Sequence, residues 1–178
     1  FMFVFTSLYA KPNKKSFDPK LAVSELAPVE RKAGKSSEGV YYSLFVRAFA
    51  DGNGDGIGDF KGLTKKLDYL NDGDDTTTDD LGVTGLWLLP IFESPSYHGY
   101  DVDDYYSVNP EYGTMNDFET FMIECKKRGI SVILDITFNH SSVYNEWFKA
   151  SKNPESPYRS WYRWISDEDT DQPSLGYT

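Results

Sequence analysis

Cysteine is nearly absent: Cys125 stands alone in 178 residues, so no disulfide can close within the chain. A lone cysteine leaves the redox compartment open. Long apolar runs are missing as well, and no stretch reaches the roughly 18 consecutive apolar residues that a membrane-spanning helix needs. Basic residues are the scarcer charge, 18 Lys and Arg against 28 Asp and Glu, for a net charge of −10 and a pI near 4.6. Nucleic acid and anionic membrane surfaces bind through clustered Lys and Arg, so neither fits as a partner.

Aromatic residues, by contrast, make up 16% of the chain, with 13 Tyr and 4 Trp. Rings in that number suit a wet, polyhydroxylated ligand, and they serve equally well as core. A chain of this length holds one sizeable core, burying about two-thirds of its surface. The apolar stretch Phe1–Ala10 reads either as the tail of a secretory signal or as a short strand at a stray terminus. The first alternative would place the protein outside the cell. Residues 11–38, rich in Lys, Ser, Pro, Glu and Ala, read as a linker arm.

The folded part begins at residue 39. Val40–Phe49 is β-prone and mostly apolar, a first strand. Phe60–Leu70 follows as a helix with Leu63, Leu67 and Leu70 on one face. Val83–Phe92 is a second strand, and strand–helix–strand in this length implies a parallel pair. Thr114 caps the next helix with Asp117 as a shortened capping box, and Gly129 stops it. Its stripe of Phe118, Phe121, Met122 and Cys125 makes Cys125 a core residue. The run Ile130–His140 then starts β-branched and apolar and ends polar, which suits a parallel strand buried on both faces. The order β-α-β-α-β gives an α/β fold. In α/β barrels the chemistry sits at the carboxyl ends of such strands.

Each strand end carries a polar motif. After the first, Asp51, Asn53, Asp55 and Asp59 alternate with glycines (DGNGDGIGD). A hard cation takes six to eight oxygen ligands in flexible geometry, so this pattern predicts a calcium loop, with the Ile57 carbonyl as a further ligand. It lies outside the EF-hand class, since Gly62 stands where a bidentate Glu is required and a strand precedes the loop. A glycine-rich turn with solvated acids is the other reading. After the second strand, the polar stretch 93–105 brings together His98, Tyr100 and Asp101, a ring flanked by hydrogen-bonding groups that could grip one sugar. In the third, Asp135 interrupts the apolar run and Asn139 and His140 close it. A buried Asp answering an Arg, with a His capping a loop, would look the same. Asn71–Asp80 is an acidic surface loop, and the aromatic segment after Ser141 (Trp147, Tyr158, Trp161, Tyr162, Trp164) either lines a cleft or packs an insertion.

Taken in order, the motifs at 51–59, 94–104 and 135–140 resemble the α-amylase family of retaining glycoside hydrolases, over roughly Gly39 to Trp164. DITFNH (135–140) is similar to the family's first conserved region, YHGYD (97–101) to its sugar-gripping loop, and PYRSWYRW (157–164) to its small inserted domain. The resemblance implies a partial (β/α)8 TIM barrel: the amino-terminal part over 39–140, then the incomplete start of the inserted domain over 141–178. It implies that His98, Tyr100, Asp101 and His140 hold the sugar whose bond is cleaved, Tyr100 by stacking and the histidines through hydroxyls. Asp135 would support them from beneath, paired with an Arg elsewhere in the barrel. Asp51, Asn53, Asp55, Ile57 and Asp59 would hold Ca2+, while Asn139, a calcium ligand in other branches, is left without that role.

The implied partner is an α-glucan, cleaved endo at α-1,4 bonds by a secreted enzyme that is a monomer when complete. His98 before Gly99–Tyr100 favours the endo-acting members. An α-1,6-glucosidase, an α-glucosidase, a trehalose-forming member or a non-catalytic sugar- or calcium-binding relative are the alternatives. Retaining glycosidases need two carboxyl groups about 5 Å apart. In the family both, with a third supporting carboxylate, come from strands four, five and seven, so the catalytic carboxylates are expected beyond residue 178. By that resemblance these residues alone, an amino-terminal fragment with an open sheet and an uncovered apolar face, would not hydrolyse glucan.

Overall fold

The structure, a computed structural model, describes residues 39–165. The expectations for Phe1–Ala10, for the linker arm at 11–38 and for residues 166–178 fall outside the described residues.

The core is a three-stranded parallel sheet of β1 (Val40–Leu44), β2 (Val83–Leu88) and β5 (Ser131–Leu134), with β2 in the middle. Register is the feature that positions everything else. Leu44 pairs with Leu88, and Leu88 with Leu134, so all three strands end at one level. Two further bonds extend the ladder past these ends, from Leu89 N–H to the Leu44 carbonyl (3.0 Å) and from Asp135 N–H to the Leu88 carbonyl (2.9 Å). The segments following each strand therefore leave from one edge, as the α/β reading requires.

The first strand is shorter than the sequence suggests. It stops at Leu44, and Val46–Phe49 forms a single helical turn, α1. The cause is the glycine-rich loop folding back. Gly58 N–H donates to the Arg47 carbonyl (2.7 Å) and Asp59 N–H to the Ala50 carbonyl (3.0 Å), which takes these residues out of the sheet. The predicted helix at 60–70 exists in two pieces, α2 (Phe60–Lys65) and α3 (Leu67–Leu70), joined by a tight turn at Lys66. The turn keeps Leu63, Leu67 and Leu70 fully buried.

The segment after β2 is more ordered than a loop. Phe92–Glu93 (β3) and Asp104–Val108 (β4) pair antiparallel as a short ribbon, with 94–103 as its tip. A 3-10 turn at Pro110–Tyr112 leads to α4 (Met115–Lys127). Thr114 accepts from Asp117 N–H, and Asp117 accepts from Thr114 N–H in return, the reciprocal capping box expected. Gly129 follows with a φ of +69°, a left-handed residue that any side chain would strain.

Side-chain parity follows the strands. Leu44, Leu86 and Leu88 point into a core shared with Phe60, Leu63 and Leu67 of the first helices and with Phe121 and Cys125 of α4. The opposite face is open: Ser43, Trp87 and Ile133 stand side by side in register and all three are exposed. The expectation of a strand buried on both faces thus fails for β5, whose residues are half-buried or exposed. The apolar run was read correctly as a parallel strand, but only one of its faces meets a helix. The uncovered apolar face expected from the sequence is present.

Among the described residues beyond β5 are a short helix, α5 (Glu146–Ser151), capped by Asn145, and a 3-10 turn at Arg159–Trp161. Most of the aromatic residues around it pack. Phe148 stacks on Trp164 at 6.0 Å and 6°, and the Arg159 guanidinium lies 3.8 Å over the Trp164 ring.

Cys125 is a core residue, and burial pushes its thiol up to about 12. An unfolded thiol ionises near 8.5, so the folded state holds its proton longer. The corresponding stability is complete below about pH 8.5 and is lost as pH rises toward 12. Native protein should resist an aromatic disulfide reagent at pH 8 and react with one thiol equivalent once denatured. Prompt reaction in the native state would contradict the buried placement.

Candidate functional site

The strand-one loop is built by its own acids. Asp51 accepts backbone N–H groups from Asn53 (3.0 Å), Gly54 (2.6 Å) and Gly56 (2.8 Å). Asn53 Oδ1 accepts from Asp55 N–H (2.9 Å), and Asp55 accepts both from Ile57 N–H (2.8 Å) and from Asn53 Nδ2 (3.0 Å). Asp59 is buried and closes the circle: it accepts from Gly52 N–H (3.0 Å) and caps α2 through Gly62 N–H (2.7 Å). Gly56 sits at a φ of +88°, and a Cβ on Gly58 would collide with the Val46 carbonyl, so both glycines are required by the path. The amides of Gly54 and then Gly56 hold the Asp51 carboxyl below the usual carboxylate range.

The five predicted donors are therefore drawn into one curl and offer only oxygen, which fits a hard cation. Asp51 and Asp59 each accept backbone N–H groups on both oxygens, and Asp59 differs in being buried. Among the described residues no three His, Cys, Asp or Glu side chains form a metal cluster, so the fit depends on Asn53 and on the Ile57 carbonyl alongside the acids. A cavity of about 200 Å³ lies beside this loop, lined by Arg47, Ala48, Phe49, Ala50, Asp51, Gly56 and Gly58. None of the predicted sugar-holding residues lines it.

The ribbon tip and the end of β5 form the second cluster. The Tyr100 hydroxyl donates to Asp135 Oδ2 at 2.9 Å, joining residues 35 apart in sequence. Asp135 accepts this bond directly above the end of the β2–β5 ladder. The bond raises the Tyr100 pKa above that of an ordinary tyrosine, with desolvation adding to it. The His98 and Tyr100 rings lie 5.9 Å apart, tilted by 30°. His98 Nδ1 is 3.9 Å from Asp101 Oδ1.

Two serines that the motif reading passed over organise this group. Ser94 Oγ donates to Asp101 Oδ1 (3.0 Å), and the Ser96 hydroxyl donates to the same oxygen while lying 3.1 Å from His98 Nδ1. Tyr100 N–H donates to His98 Nδ1 (3.2 Å). That nitrogen is therefore an acceptor, so the neutral ring carries its proton on Nε2 and can donate to a ligand hydroxyl. The available signal was two hydroxyls spaced by two residues ahead of His98, with Asp101 in reach on the same turn.

His140 stands apart from this group. It lies beyond the same sheet edge and is exposed, with its Nδ1 3.4 Å from Asn139 Nδ2. Among the described residues no hydrogen bond joins its ring to His98, Tyr100 or Asp101. The structure thus brings His98, Tyr100, Asp101 and Asp135 together and puts His140 on the neighbouring loop. Asp135, expected to answer an Arg, has Tyr100 as its side-chain partner here.

Parallel strands, crossover helices and polar groups gathered at one carboxyl edge define an α/β barrel type of chain. The chain belongs to the alpha-amylase family, since residues 43–177 match the model "Alpha amylase, catalytic domain". Alpha-amylase 3 of Dictyoglomus thermophilum is 45% identical over 139 residues, 78% of this chain and 26% of that protein. Trehalose synthase/amylase TreS of Mycolicibacterium smegmatis is 46% identical over 132 residues, 73% of this chain and 21% of that protein. Among solved structures, the alpha-amylase from H.orenii superposes with a TM-score of 0.70 at 57% identity, over 72% of this chain and 26% of that one. This chain spans about a quarter or less of the proteins it matches. Its fold is the first three β-α units of a (β/α)8 barrel.

Replacing Asp135 by Asn tests the Tyr100 contact. A neutral amide repels the phenolate less, so Tyr100 should titrate at lower pH in Asp135→Asn than in the parent. Ring carbon shifts of tyrosine followed by NMR through alkaline pH would show it. An unchanged Tyr100 titration would dissolve the pairing.

Proposed function

We propose that the full product of this reading frame is a retaining α-glucan hydrolase, acting endo on α-1,4 bonds, and that this chain supplies part of the subsite for the sugar being cleaved. The observation that carries the reading is the His98–Tyr100–Asp101–Asp135 cluster at the strand edge, in a chain of the alpha-amylase family. Tyr100 offers a half-exposed ring whose hydroxyl is already tethered, so the ring can stack on a pyranose without searching orientations. His98 Nε2–H and the His140 ring would bond sugar hydroxyls. Such bonds accelerate the reaction to the extent that they strengthen as the ring flattens toward an oxocarbenium-like state.

A second reading is a trehalose-forming member or an α-glucosidase, favoured by the equal identity to the trehalose synthase/amylase. Incubating the full-length product separately with amylose, isomaltose and maltose separates the readings. Maltooligosaccharides released with the α configuration support the first. Trehalose from maltose, or glucose released one unit at a time, supports the second. No product from any of them overturns both. In an active enzyme, His98→Ala should lower kcat about ten- to a hundredfold, the range of one hydrogen bond to a charge-bearing group.

We further propose that Asp51, Asn53, Asp55, Asp59 and the Ile57 carbonyl hold Ca2+, the ion supplying positive charge to a curl whose acids accept from its own amides. A cation that binds the folded state alone raises its stability. A chelator should therefore lower the thermal midpoint, with calcium restoring it and Asp51→Ala abolishing the response. An identical midpoint with and without the chelator would remove calcium from this loop.

A further inference from the structure

Residues 136–141 carry His140 with little of their own to hold them. The segment has no regular structure, and Phe138, Asn139 and His140 are exposed. Its ends are fixed by backbone bonds, Asp135 N–H to the Leu88 carbonyl at 2.9 Å and Ser142 N–H to the Val102 carbonyl at 3.0 Å. Between those points, among the described residues, a single outside side chain bonds the segment's backbone. The Tyr105 hydroxyl lies 2.8 Å from the Thr137 carbonyl and 2.9 Å from the His140 carbonyl.

A phenol has one proton, so two carbonyls three residues apart share one donor. Their oxygens converge on a single point, an arrangement that two carbonyl dipoles facing each other would not keep unaided. Tyr105 is itself well fixed. Its ring stacks on Trp147 at 5.7 Å and 6° and tilts against Phe92 at 5.8 Å. Its backbone lies in β4, the ribbon strand that immediately follows the tip bearing His98, Tyr100 and Asp101. Burial, and secondarily Tyr162, push its pKa above the ordinary tyrosine value, so the hydroxyl keeps its proton through the neutral range.

We propose that Tyr105 is a positioning residue for His140: its shared proton holds the 137–140 turn closed and so keeps the imidazole at the same sheet edge as the ribbon-tip cluster. The proposal rests on the reading of that cluster as a sugar subsite. It predicts that Tyr105 affects turnover through the loop, without touching substrate.

The test uses the full-length gene product with Tyr105→Phe, which removes one oxygen and leaves the ring on Trp147 and Phe92. Tyr106→Phe, at the exposed neighbour, is the control. Hydrogen exchange should accelerate about tenfold at the amides of 136–142 and stay unchanged across Met115–Lys127. On maltopentaose, kcat should fall about five- to tenfold, the factor one ordinary hydrogen bond carries, with KM nearly constant and the thermal midpoint unmoved. Tyr106→Phe should match the parent in every readout. Unchanged exchange at 136–142 overturns the proposal, whatever the kinetics do. Faster exchange there with unchanged kcat in an active enzyme also overturns it, because the turn would then not matter to turnover. If the parent enzyme proves inactive on all α-glucosides, the sugar-subsite reading falls, while the exchange result still decides whether Tyr105 holds the turn.

Discussion

The structure depends on one constraint, the in-register pairing that brings Leu44, Leu88 and Leu134 to a common level. Parallel pairing fixes strand direction, and the register fixes height. Together they decide that the segments after residues 44, 88 and 134 emerge on the same edge. A slip of one residue in β5 would turn Val132 and Leu134 away from the core and lift Asp135 out of reach of Tyr100. The register is itself held by parity. Leu86 and Leu88 meet the helices carrying Phe60 and Phe121, and a one-residue slip would turn them to the open face.

Many acidic residues among those described accept hydrogen bonds from the chain's own backbone. Asp51 and Asp59 build the first loop, Asp117 caps α4, and Asp72 and Asp80 organise the loop at 71–80, where Asp80 accepts from Asp72 N–H at 2.7 Å. These bonds explain how loops so rich in glycine and aspartate keep a defined path without apolar packing. They also qualify what the net charge means. Part of the excess negative charge is internal scaffolding rather than free surface charge.

What was legible in the sequence is what a short window contains. The curl of Asp51–Asp59, the capping box of Thr114 and Asp117, the core stripe with Cys125 and the polar cluster around His98 are each written within about a dozen residues. Their chemistry is local. The contacts that complete the site are long-range. Tyr100 with Asp135 and Tyr105 with His140 each span 35 residues and exist only because the sheet register brings two edges together. The misjudged end of β1 has a related cause. Val46–Phe49 is as β-prone as the strand before it, and only the returning amides of Gly58 and Asp59 pull it into a helical turn. The ribbon of β3 and β4 was missed because Phe92–Glu93 is too short to show alternation.

The open row of Ser43, Trp87 and Ile133 gives this part of the molecule two faces with different histories. The helix-covered face closes on side chains such as Phe60, Leu63 and Phe121 within the described residues. Among the described residues no element covers the other face, which stays wet and adhesive until one does. During synthesis that interval is a window of risk, in which a half-exposed tryptophan beside an isoleucine on a flat sheet invites contact with other nascent chains.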